Sequence, residues 1–309
     1  MSRNVTTNRP PHTVDFCYGG LDESLTNLEK AHAVILPVPY DGTVSYMAGA
    51  RLGPRAIITA SQSMELYDEE LGAFYEHGIH TLPDLEIVAD PKAMVDRVQE
   101  AVAWGLDLDK FMITLGGEHS LTSGSVRAYA KKYKNLSVLH FDAHGDLRNE
   151  YQGTPYSHAC VMRRVREIVP AVQVGIRSIS EEEADLIAEK KWPVFSARRT
   201  CAMKGDYAPI VDALTEDVYI TVDLDCFDPA TVPGVGTPEP GGLDWYELTE
   251  VVAQVARKKR IVGFDIMELM PLIGQVRSDF LASRLLYRMW GWALVSQGKL
   301  QPPDPNRPL

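Results

Sequence analysis

The chain is poor in cysteine, with Cys17, Cys160, Cys201 and Cys226 in 309 residues and no Cys-x-x-Cys pair among them. That spacing excludes a disulfide framework or a thiolate zinc knuckle and leaves small buried fillers in a reducing setting. Long apolar runs are missing as well. None reaches the roughly 20 residues of a membrane span, and residues 1–11 are polar rather than signal-like, so a cytoplasmic protein off the membrane is expected. Positive charge is in short supply, with 31 Lys and Arg against 42 Asp and Glu, a net charge of −11. This argues against a nucleic-acid partner, because phosphate binding calls for clustered basic residues. Basic residues at 127–134 and 258–260 read as the solvated side of a helix and a short turn. Neither G-x-x-x-x-G-K-[ST] nor G-x-G-x-x-G occurs, which removes the common nucleotide loops. Without repeats or a low-complexity linker there is no domain boundary to draw.

What the chain does contain is an alternation of short apolar runs with longer amphipathic stretches. Strands are expected near 33–38, 111–115, 136–141, 171–175, 218–222 and 261–266. Helices are expected near 54–66, 92–106, 121–134, 181–190, 246–257 and 277–296. The pattern predicts an α/β protein, a mainly parallel sheet covered by helices on both faces in three layers. Hydrophobic residues make up 45% of the chain, enough for one large unit with a substantial core. Only the ends, near 1–15 and 301–309, are polar or proline-rich enough to be expected loosely held or wrapped on a neighbour.

Two runs carry the chemistry. Asp142, His144 and Asp146 alternate with spacers after one apolar strand, and Asp223 and Asp225 do so after another, so an extended backbone would point each set to one side. Carboxylates gathered at such a place repel and raise one another's pKa unless cations neutralise them. Two divalent ions would do so. Asp228, followed by Pro229, reads instead as a turn residue, and His140, within an apolar strand, as core. A third strand ends in Gly116 and Gly117, where a close backbone approach would set His119 at the same carboxyl edge, the edge where open α/β sheets bind ligands.

Gly-Gly-Glu-His-Ser at 116–120, Phe-Asp-Ala-His-Gly-Asp at 141–146, Ser-His-Ala at 157–159, the acidic and glycine-rich run 223–243 and Gly-Phe-Asp-Ile-Met-Glu-Leu-Met-Pro at 263–271 resemble, in order, the motifs of the ureohydrolase family of arginases, agmatinases and related guanidino-compound hydrolases. Residues 39–57 resemble its amino-terminal signature, so nearly the whole chain is covered. The resemblance implies the arginase-like three-layer fold and two Mn²⁺ ions. One would be held by His119, Asp142, Asp146 and Asp223, the other by Asp142, His144, Asp223 and Asp225. An oxygen-rich set with one imidazole per ion suits Mn²⁺, and Ni²⁺ fits the same donors. It further implies that Asp146 hydrogen-bonds the attacking hydroxide and carries its proton to the leaving amine, that His158 shuttles protons, and that Glu268 holds the guanidinium.

The family resemblance also implies a trimer or hexamer. Agmatine, cleaved to putrescine and urea, is the first expectation for the substrate. Ser178 and Ser180 follow the Gly-x-Arg turn where arginases carry an aspartate, and residues 146–158 look more like agmatinases. Two departures qualify it: Gly145 replaces a small polar residue or proline and is expected to loosen its loop, and Arg148 at the rim would repel a terminal ammonium and attract a carboxylate. Guanidinobutyrate, guanidinopropionate and free guanidine are therefore the alternatives. Two others are a deacylase using a single zinc and a silent binding protein on the same fold, against which stand all six candidate ligands and Glu268.

Overall fold

The computed structural model describes residues 16–301. The expected loose ends at 1–15 and 301–309 lie outside these described residues, apart from Gln301. Ten strands follow in chain order: β1 (Ala33–Val38), β2 (Tyr67–Asp68), β3 (Gly72–Ala73), β4 (Ile79–Thr81), β5 (Phe111–Gly116), β6 (Leu136–Phe141), β7 (Ala171–Ile176), β8 (Val194–Ser196), β9 (Asp217–Asp223) and β10 (Arg260–Met267). Eight of them form one sheet in the order β4-β1-β5-β10-β9-β6-β7-β8, and every neighbouring pair is parallel. β2 and β3 make a separate antiparallel hairpin.

Period-two alternation sorts the side chains between two cores. Ala33 and Ile35 of β1, with Leu139 and Phe141 of β6, face one core, which holds residues of the helices Gly53–Ser61, Trp245–Lys258 and Arg277–Ser296. Val34, Leu36 and Val38, with Leu136 and Val138, face the other, under Pro91–Asp107, Thr122–Lys132 and Val161–Arg166. The three-layer architecture is therefore as expected. Its central strands are buried along their whole length, which is why they read as continuous apolar runs.

Some boundaries differ from expectation. The first expected helix, 54–66, ends at Ser61, and Met64 reaches the core from the turn beyond it. The expected helix from 121 begins as a 3-10 turn, His119–Leu121, that becomes α-helical at Thr122. Edge strands β4 and β8 were not expected, being only three residues long and partly exposed.

The topology locates the site. β5, β10, β9 and β6 are adjacent in the sheet, and their carboxyl ends release His119, Glu268, Asp223 and Asp142 along one edge. Chain segments leave that edge toward both faces, which opens a crevice there. Gly117 is necessary to the arrangement. Its N–H donates to Val38, the next N–H donates to Tyr40, and a Cβ at Gly117 would stand 1.9 Å from the Tyr40 carbonyl oxygen.

Candidate metal and guanidino-binding site

All six residues expected as metal ligands converge at this edge. The Nδ1 of His119 lies 3.1 Å from an oxygen of Asp142, 3.4 Å from one of Asp146 and 3.3 Å from one of Asp223. The Nδ1 of His144 is 2.9 Å from Asp225 and 3.5 Å from the other oxygen of Asp142. Asp142 thus sits between two clusters. Asp223 stands beside the first, while its second oxygen accepts the N–H of Asp225.

The donor set passes a direct test for a cation. His119 is buried, and its Nε2 lies 2.8 Å from the Thr221 hydroxyl, while Nδ1 has no hydrogen-bond partner. With Nε2 as the donor, the Nδ1 lone pair faces three carboxylate oxygens. A buried polar atom so placed needs a proton or a metal ion. Among the described residues, His119, His140, Asp142 and Asp146 form one group whose ligand atoms could share an ion, and Asp142, His144 and Asp225 form a second.

His140 is the residue to remove from that first group. Arg166 donates twice to Gln173 Oε1, so the Gln173 amide nitrogen is turned to donate to Gly145 O and His140 Nδ1. His140 must then carry its proton on Nε2 and donate it to Asp142 at 2.8 Å. It is placed to orient Asp142, a candidate ligand, rather than to ligate itself. Burial lowers its pKa to about 4, so it is neutral.

Electrostatics points the same way. Burial, then the nearby Asp142 charge, pushes Asp146 up to about 7. Burial together with Asp225 and Asp142 holds Asp223 well above the carboxylate range, and burial and Asp142 raise Asp225. Burial would raise Asp142 too, but His140, His119 and His144 hold it well below its usual value. For His119 and His144, burial works against the charged form, yet the surrounding carboxylates raise both. Protons stand in here for missing positive charge.

In front of the clusters lies a cavity onto which His144, Asp146, Asp223, Asp225 and Glu268 open. Backbone conformation aims two of them. Asp146 (φ 52°) and Glu268 (φ 65°) hold left-handed backbone, a costly choice for residues with a Cβ and one that collects at functional sites. The Glu268 carboxylate accepts the His119 N–H at 2.7 Å. Burial, and then the charge of Glu118, raise its pKa well above the usual range, so a cation in the cavity would restore its charge.

The segment 41–51 walls one side. Asp41 is buried and accepts the N–H groups of Gly49 and Arg51, closing a loop whose Ser45, Tyr46 and Met47 line the cavity. His158 packs against this segment, with its ring between Thr43 and Ser45. Burial lowers it to about 4, so the ring is neutral. Arg148 does reach the cavity, with its guanidinium carbon 5.2 Å from the centre of the Tyr151 ring.

Other expected positions turn out to be structural. Asp228 accepts N–H groups from Ala230 and Gly241 as the expected turn residue. Ser180 caps the helix Glu181–Lys190 and Ser178 donates to Glu239, so neither lines the cavity. Gly145 does not loosen its loop: a Cβ there would meet Ile179 at 2.9 Å, and its carbonyl is held by Gln173. Thr43, Glu118 and Gln173 went unassigned because the contacts that tie them to the site, Thr43 with Glu118 and His158 and Gln173 with His140 and Gly145, span 75 to 115 and 28 to 33 residues, beyond any spacing rule.

The model of the arginase family matches residues 31–291. An N(1)-aminopropylagmatine ureohydrolase of Synechocystis is 41% identical over 90% of this chain and 94% of its own length. An agmatinase of Pyrococcus horikoshii is 36% identical over 82% of this chain and 90% of its own length. The crystal structure of agmatine ureohydrolase of Thermoplasma volcanium superposes with a TM-score of 0.82 at 34% identity, covering 90% of this chain and 95% of that one. The chain belongs to the arginase family, a family of ureohydrolases.

Proposed function

We propose that this protein hydrolyses the guanidino group of a linear polyamine precursor to urea and an amine, with N(1)-aminopropylagmatine as preferred substrate and agmatine as its shorter relative. The observation that carries the reading is Glu268, a half-buried residue whose carboxylate is turned by left-handed backbone into a cavity floored by Asp146, Asp223 and Asp225. A planar guanidinium with a fork of N–H donors is the cation that such a carboxylate holds best. The longer substrate is supported by the name of the 41% identical relative and by a mouth where Tyr46 is 74% and Met47 48% exposed.

His119, Asp142, Asp146 and Asp223 would hold one Mn²⁺, and Asp142, His144, Asp223 and Asp225 the other, with Ni²⁺ fitting the same donors. When bound, the pair of cations supplies water made acidic enough to attack near neutral pH and stabilises developing negative charge. Glu268 accepts from the guanidinium and fixes the carbon above the floor of the cavity. The new bond is carbon to oxygen, and the bond that breaks is carbon to the alkyl-bearing nitrogen. Asp146 takes the proton from the attacking water and gives it to that nitrogen, which leaves as an amine. His158, neutral at the wall, exchanges the remaining proton with solvent. We further propose a single ureohydrolase unit that forms a trimer or hexamer in the cytoplasm.

Arg148 on the cavity lining favours a second reading, in which the far end of the substrate is a carboxylate. One experiment separates the two. Urea release by Mn²⁺-loaded enzyme is measured with N(1)-aminopropylagmatine, agmatine, arginine, guanidinobutyrate, guanidinopropionate and guanidine. We expect kcat/KM to be highest for N(1)-aminopropylagmatine, with agmatine next and the acids at least about tenfold lower, the discrimination available from roughly 1.4 kcal/mol. A guanidino acid at the head of the series would overturn the polyamine assignment. The absence of urea from every compound would overturn the reaction.

A further inference from the structure

We infer that Glu118 and Thr43 form a relay that fixes the tautomer of His158, making both positioning residues for the proton transfer at the cavity wall. The inference rests on the reading of His158 given above.

With Glu118 ionised, the hydrogen bonds have one consistent set of directions. Glu118 is fully buried beside the site and collects three donors: the Thr43 N–H at 2.5 Å, the Thr43 hydroxyl at 2.6 Å and the Ser120 hydroxyl at 2.5 Å. A carboxylate receiving three donors is an acceptor throughout. The single hydroxyl proton of Thr43 is therefore spent on Glu118, and Thr43 Oγ1 has only lone pairs left. Two groups of His158 meet that oxygen, the main-chain N–H at 3.0 Å and the ring Nδ1 at 3.2 Å.

An oxygen that can only accept requires a proton on Nδ1, so Nε2 of the neutral ring carries the lone pair. Nε2 is the nitrogen on the cavity side, 3.4 Å from the Ser45 hydroxyl, which is free to donate to it. Ser157 approaches Nδ1 at 3.4 Å but, as a freely rotating hydroxyl, does not choose the tautomer. The arrangement is a carboxylate acting on an imidazole through one intervening hydroxyl. It presents His158 as a proton acceptor toward the cavity, and the negative charge behind Thr43 steadies the imidazolium once the proton arrives.

Thr43→Val removes the hydroxyl at nearly constant volume, Thr43→Ser keeps it, and each is made in wild-type and His158→Asn backgrounds. Steady-state kinetics with the best substrate is combined with metal analysis of the purified proteins. We expect Thr43→Val to lower kcat about 30-fold or more with KM within about threefold, the scale of a lost acid–base contribution. Thr43→Ser should recover most of that loss, and Thr43→Val should add nothing in the His158→Asn background. Glu118→Gln should repeat the kcat effect, and it decides the matter if Thr43→Val folds poorly. The inference is overturned if Thr43→Val is as damaging with His158 replaced as with it present, if its loss tracks metal content, or if kcat is unchanged. An unimpaired His158→Asn enzyme would instead remove the proton-transfer role from His158 itself.

Discussion

Stripping divalent cations with a chelator should lower the Tm by about 5–10 °C at pH 8, abolish urea release, and leave both restorable by Mn²⁺. The size follows from linkage: a ligand present at about 1,000 times its Kd adds roughly 4 kcal/mol, worth a few degrees per kcal/mol in a chain of this length. The pH dependence is the sharper part. Without metal, Asp146 is raised to about 7, Asp223 and Asp225 are raised by burial and by neighbouring carboxylates, Asp142 foremost for Asp225, and His119 and His144 are raised by the carboxylates around them. A raised folded-state pKa stabilises fully below the unfolded value and loses that contribution as pH climbs through the folded value. The metal-free protein should therefore weaken as pH rises from about 5 to about 8. Asp142, held low, acts in the opposite sense but only below the ordinary aspartate range. Metal binding needs the same ligands deprotonated, so it strengthens across the same interval and releases protons. The gap in Tm between loaded and stripped protein should widen with pH. A gap that is constant from about pH 5 to about pH 8 would mean that these carboxylates are not the ligands.

The same physics explains what could be read from the chain alone. β5, β6, β9 and β10 are central, buried on both faces and therefore apolar along their length, and the residues at their carboxyl ends were legible as soon as the strands were. β4 and β8 contribute three residues each at the sheet margins, too few to show a period. The candidate ligand set was legible by alternation, because a strand end converts sequence spacing directly into spatial convergence. The supports did not. Gln173 reaches His140 from a neighbouring strand, and Thr43 reaches Glu118 across 75 residues, so these roles exist only in the folded register. Ser178 and Ser180, noted for standing where arginases carry an aspartate, are used locally instead: Ser180 caps the helix that starts there and Ser178 donates to Glu239.

Asp146→Asn should reduce kcat by about 10³-fold or more, because it removes a carboxylate proposed to serve both metal binding and proton transfer. Asparagine is the informative replacement here. Asp146 holds φ at 52°, a conformation that asparagine tolerates better than most side chains, and its carbonyl accepts from Met162 and Arg163. The loop should therefore survive while the charge does not. Metal analysis should show a weakened ion beside His119, whose Nδ1 lies 3.4 Å from the replaced carboxylate. Glu268→Gln supplies the contrast. Its carboxylate accepts the His119 N–H and faces the cavity, where it is proposed to hold the guanidinium rather than a metal ion. It should keep its metal and lose about 10²-fold in kcat/KM, the cost of leaving a buried cation without its charged partner. If Glu268→Gln turned over substrate at the wild-type rate, the guanidinium would have to be held elsewhere in the cavity. If Asp146→Asn kept both its metal and its turnover, the floor of the site would have been assigned to the wrong carboxylates.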